Sequence, residues 1–123
     1  MYTEALQKLV LFALTEGNAL DVVVLDVRAR TDITDVMIIA TGNSPPHVRA
    51  IGNRVAEEAR KHVVPIIGIE GQQIGDWMLV DLGDAVVHIM LSTVRQFYAL
   101  EKLWVVGSER VETRLVEREA ASR

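Results

Sequence analysis

Two apolar runs, Trp77 to Leu82 and Ala85 to Met90, are joined by Gly83-Asp84 alone. A two-residue link of this composition closes a tight hairpin, because its backbone can take the turn conformation that matches the twist of paired strands. The two runs are therefore antiparallel neighbours, and the rest of the fold has to be built around them. Alternation along the first run sends Trp77, Leu79 and Asp81 to one side and Met78, Val80 and Leu82 to the other. An Asp that shares a face with a Trp marks a face that is not wholly core.

Further strands and helices flank this hairpin. Val22 to Val27 is nearly continuous in β-branched residues, as expected of a strand covered on both faces, and Val36 to Ala40 repeats the pattern until Thr41-Gly42-Asn43-Ser44-Pro45-Pro46 breaks it. Ile66 to Glu70 reads as another strand, while Arg28 to Thr34 and Gly71 to Asp76 read as loops. Leu6, Leu9, Val10, Ala13 and Leu14 follow a helical stripe, with Gly17 where a left-handed stop is expected. Ser44 is a good N-cap with Pro45 at the first helical position, and Val48, Ile51, Val55 and Ala59 carry one helix face toward His62. Thr93 and Gln96 have capping-box spacing ahead of Phe97, Leu100, Leu103 and Trp104, which predicts a last helix. The order α, β, β, α, β, β, β, α predicts an α+β domain with helices around one mixed five-stranded sheet.

At 123 residues the chain is one domain, expected over residues 1–106, followed by a tail over 107–123 that balances Arg against Glu and is expected to be mobile. Half of the residues are hydrophobic but only 5% are aromatic, so Val, Leu and Ile must supply the core. With no Cys, thiol nucleophiles, thiolate metal sites and redox work are excluded. A membrane span needs about 20 apolar residues in a row, and the charge-free stretch from Val36 to Val48 is broken by Gly42, Asn43, Pro45 and Pro46. Leu9 to Leu14 is short for a secretion signal, so a cytoplasmic location is expected.

Net charge is −4, which argues against a chain that grips nucleic acid by itself. Its distribution is more informative. Between Lys61 and Arg95 there is no Lys or Arg, yet Glu70, Asp76, Asp81 and Asp84 all fall there. The natural complement of such a stretch is a basic partner.

Motifs for catalysis are sparse. His47, His62 and His88 are scattered, without the i, i+4 spacing of a zinc hydrolase, and Gly68, Gly71 and Gly75 fit neither phosphate-loop spacing. A strand ending in Gly42-Asn43-Ser44 before a helix resembles the start of a nucleotidyltransferase site, but such an enzyme needs paired carboxylates for Mg²⁺. The acid-x-acid pair that exists, Glu117 and Glu119, is in the tail. Trp77 has two readings, a large core residue at a strand start or an interface anchor. Asp81 and Asp84 are solvated turn acids or partner contacts, and His88 reads as a strand residue satisfied by a neighbour.

The run from Asp76 to Met90, followed by Phe97-Tyr98-x-Leu100-Glu101-x-Leu103-Trp104, closely resembles the ribosomal silencing factor family, also called Iojap-related proteins. Val24-Leu25-Asp26-Val27, Ile33-Thr34-Asp35, Ile39 to Ser44, His47-Val48-Arg49 and Gly68-Ile69-Glu70-Gly71 agree, so the resemblance covers about residues 3–104. Pro45-Pro46 departs from the polar residues usual there, and the stretch after Trp104 lies outside the shared pattern. The resemblance implies a nucleotidyltransferase-like fold without the catalytic acids and without a cofactor. It also implies a translational repressor that binds the large ribosomal subunit through ribosomal protein fourteen and sterically blocks joining of the small subunit under nutrient limitation. Carried to this chain, the matching surface is Glu70, Trp77, Met78, Asp81, Asp84 and His88. The competing reading is a nucleotidyltransferase-like enzyme acting on a nucleotide or an RNA end, and self-association through an exposed strand edge is a third.

Overall fold

The computed structural model describes residues 2–98. The elements appear in the expected order: α1 Thr3–Glu16, β1 Leu20–Asp26, β2 Val36–Gly42, α2 Pro45–Lys61, β3 Gly68–Glu70, β4 Trp77–Asp81, β5 Ala85–Leu91 and α3 Ser92–Tyr98. The expected Leu100, Leu103 and Trp104 helix face and the 107–123 tail lie outside the described residues.

The five strands form one sheet in the order β1-β2-β5-β4-β3. β2 and β5 are parallel and the other neighbours antiparallel, so the α+β class and the mixed sheet are as expected. The β4–β5 hairpin closes as its link requires. The Leu82 N–H donates to the Ala85 carbonyl at 2.9 Å, and Gly83 takes a φ of +86°.

One face of the sheet is covered by α1 and α2. Leu6, Val10 and Leu14 of α1 and Ile51, Val55 and Ala59 of α2 pack with Val24, Ile38, Met78, Val80, Val87 and Ile89. Each such aliphatic side chain contributes about 1.5–3 kcal/mol on full burial, which is how a core poor in aromatics holds together. Gly52 lets α2 approach β4 closely, since a Cβ there would overlap the Met78 sulfur. The second face carries a smaller cluster of Val23, Leu25, Val27, Ile39 and Met90, with Val94 of α3 against it. Arg95, 9% exposed, tethers α3: its guanidinium donates to Thr41 Oγ1 at 2.9 Å and to the Asp21 carbonyl.

Several local expectations shift. Gly17 has φ −85°, and the left-handed residue ending α1 is Asn18 at +58°. Asn tolerates that conformation, and Gly17 lies close under α2, where an added Cβ would sit 3.3 Å from Ile51 Cγ1. β1 begins at Leu20 through a register shift around Asp21, whose φ is +48°. β3 is shorter than Ile66 to Glu70 because Ile67 pairs only through its N–H, which reaches the Asp81 carbonyl at 2.8 Å. Among the described residues no helix is long and apolar enough to cross a membrane.

Candidate functional site

Strand register sorts the second face into three rows. Glu70, Leu79, His88, Ile39 and Val23 form one row from β3 to β1. Gly68, Asp81, Val86, Met37 and Leu25 form the next, and Trp77, Met90 and Thr41 lie on the third. No Lys or Arg stands on these rows. Toward β1 the residues are buried apart from the half-buried Met37, whereas Glu70 is exposed and Trp77, Leu79, Asp81 and Val86 are half-buried. The accessible part of the face is thus an apolar strip bordered by two carboxylates.

This placement brings together most of the expected surface. Glu70, Trp77, Asp81 and His88 lie on one side of the sheet. Met78 does not: it is 0% exposed on the opposite side, beneath α2, because alternation along β4 turns it into the core. Asp84 is also separated from the rows. It sits in the hairpin turn, bordering a hollow shared with Leu6, Val63, Val64 and Pro65, and its carbonyl accepts the N–H groups of Asp35 and Val36. Leu79 and Val86 belong to the strip although neither stands out in the sequence. The signal for both is the register imposed by Gly83-Asp84, which pairs Leu79 with His88 and Asp81 with Val86.

Trp77 and His88 are diagonal neighbours across the hairpin, a separation that an indole spans. Trp77 Nε1–H donates to His88 Nδ1 at 2.9 Å, and the rings are tilted by 47° with centroids 5.8 Å apart. His88 is 6% exposed, and burial pushes its imidazole down to about 4, so the ring is neutral near pH 7. The expected neighbour that satisfies His88 is therefore Trp77, which remains half-buried and packs against the Met90 cluster. Asp81 accepts the Gly83 N–H at 2.9 Å, a local bond that orients its carboxylate beside the turn.

The start of α2 bears on the nucleotide-binding alternative. A helix N-terminus holds phosphate through its first free N–H groups. Here Pro45 and Pro46 have none, the His47 N–H donates to Ser44 Oγ at 3.2 Å, and the Val48 N–H to the Ser44 carbonyl at 2.9 Å. The Asn43 N–H donates to His47 Nδ1 at 2.9 Å, which leaves His47 Nε2–H to donate to the Gly17 carbonyl at 2.8 Å. Ser44 is the N-cap that its position predicts, and the N–H groups of residues 45–48 are either missing or occupied. Among the described residues no group of three or more His, Asp and Glu is placed to hold a metal ion.

Fold and face together define a class: a helix-backed α+β domain whose second sheet face presents an acid-bordered apolar strip. Within that class the chain belongs to the ribosomal silencing factor family, whose model, described as "Ribosomal silencing factor during starvation", matches residues 2–123. The match continues past Trp104, beyond the shared motifs of the sequence. A ribosomal silencing factor of Haemophilus influenzae is 46% identical over 84 residues, 68% of this chain and 82% of that protein. The mouse protein named for mitochondrial assembly of the ribosomal large subunit is 36% identical over 99 residues, 77% of this chain and 43% of that protein. A crystal structure of a Chromobacterium violaceum protein superposes with a TM-score of 0.83 at 40% identity, covering 85% of this chain and 87% of that one.

Proposed function

We propose that this chain is a cytoplasmic translational repressor that binds the large ribosomal subunit and sterically prevents the small subunit from joining. The strip on the second face supports this function: Glu70 and Asp81 border Trp77, Leu79 and Val86 with no Lys or Arg on the rows. Such a strip suits a basic protein surface: the apolar groups are desolvated on contact and the carboxylates set the register against Lys and Arg. Ribosomal protein fourteen is the partner that the family resemblance implies. The name of the silencing-factor relative supports a ribosomal partner, and that of the mouse relative, concerned with large-subunit assembly, supports the choice of subunit.

A bound domain of this size acts by occupying the joining surface, so no reaction is required of it. The nucleotidyltransferase-like alternative has weaker support, since the start of α2 offers a phosphate no free backbone donor at its first four positions. Calorimetry with ATP or CTP and Mg²⁺ separates the two, because saturable metal-dependent binding is required by the enzyme and absent for the occluder. The direct test is sucrose-gradient sedimentation with purified subunits. The chain should travel with the large subunit alone and reduce the peak of joined ribosomes.

A further inference from the structure

The Trp77–His88 bond determines what the strip offers a partner. An indole Nε1–H can only donate, so His88 Nδ1 must be the acceptor and, in the neutral ring, Nε2 carries the proton. Trp77 has thereby committed this donor internally. His88 Nε2 has no hydrogen-bond partner among the described residues, yet it is not among the buried side-chain nitrogens sealed from solvent without one. A side chain 6% exposed thus keeps one polar atom at the surface. Its row places that atom beside Leu79 and one strand further from Glu70.

We propose that His88 Nε2–H is a fixed hydrogen-bond donor that recognises an acceptor oxygen on the bound protein surface, a backbone carbonyl or a side-chain amide. This rests on the reading above and deepens it. Carboxylates at Glu70 and Asp81 attract cations without discriminating among basic surfaces, because charge pairing is tolerant of geometry. A donor whose tautomer and ring plane are set by a second residue discriminates more sharply. A partner that lacks an oxygen opposite it leaves the N–H desolvated and unpaired. The chain Trp77 Nε1–H to His88 Nδ1, then His88 Nε2–H to partner, also polarises in one direction, which strengthens each bond. Trp77 is then a positioning residue for His88 as well as apolar area.

Sedimentation with purified large subunits tests this. His88→Leu, which keeps the volume and removes the donor, should weaken binding by about tenfold or more, the loss expected when one buried hydrogen bond is left unmade. His88→Gln, which restores a side-chain N–H, should recover most of the loss. Equal binding by His88→Leu and wild type overturns the donor while leaving the proposed function intact. Failure of the wild-type chain to bind at all overturns the function and the donor with it. The tautomer is read without any substitution by long-range ¹H–¹⁵N correlation of the imidazole in the full wild-type chain. A protonated Nε2 and bare Nδ1 are expected, and a proton on Nδ1 overturns the proposal even if His88→Leu fails to fold.

Discussion

Trp77 Nε1 lies 2.9 Å from His88 Nδ1, and that one contact joins the stability of the hairpin to the surface it displays. The acceptor must be an unprotonated nitrogen, so the contact survives only while His88 is neutral. Burial secures that state near pH 7 by holding the imidazole at about 4.

Acid should therefore destabilise the fold through this group. The unfolded imidazole titrates at its ordinary value of 6.5, so between 6.5 and about 4 the unfolded chain binds a proton that the folded chain does not. Stability is full above 6.5 and falls as pH drops through the window, by about 3 kcal/mol at its acid end. Urea unfolding from pH 7 to pH 4.5 should show this slope, and His88→Gln should remove most of it. An unchanged slope in the variant would place the titration elsewhere.

Gly71 controls where β4 begins. Its φ is +85°, and a Cβ would overlap the Trp77 carbonyl oxygen, which cannot move without displacing the strand. Gly71→Ala should lower stability by about 2 to 4 kcal/mol and weaken large-subunit binding by disturbing Trp77. Thermal unfolding with sedimentation checks both, and a variant as stable as wild type contradicts this role.

Met78 should behave as a core residue. Met78→Ala removes a side chain that is 0% exposed under α2 and should cost about 2 to 5 kcal/mol. Binding by the fraction that remains folded should be close to that of wild type. Loss of binding without loss of stability would return Met78 to the surface set.

The hairpin and its register are legible in the sequence because a two-residue link leaves one pairing: Trp77 with Met90, Leu79 with His88, Asp81 with Val86. The same register contains the Trp77–His88 diagonal, but the hydrogen bond depends on side-chain rotamers that no pattern encodes. The base-free acidic stretch is legible as a charge pattern, yet only geometry divides it, putting Glu70 and Asp81 on the strip and Asp84 in the turn. Alternation places Met78 opposite Trp77 while the family resemblance places it on the binding surface, and its burial agrees with alternation. The left-handed stop of α1, expected at Gly17, falls one residue later at Asn18, because both residue types tolerate that conformation and nothing local in Gly-Asn fixes the choice.

Binding of the large subunit by the acid-bordered strip requires its two carboxylates. Glu70→Lys combined with Asp81→Asn tests it with least disturbance, since Glu70 is exposed and an Asn oxygen can still accept the Gly83 N–H. In sucrose-gradient sedimentation with purified large subunits, the wild-type chain should comigrate and the folded double variant should bind at least about tenfold more weakly. Equal comigration of the two would show that the strip is not the binding surface.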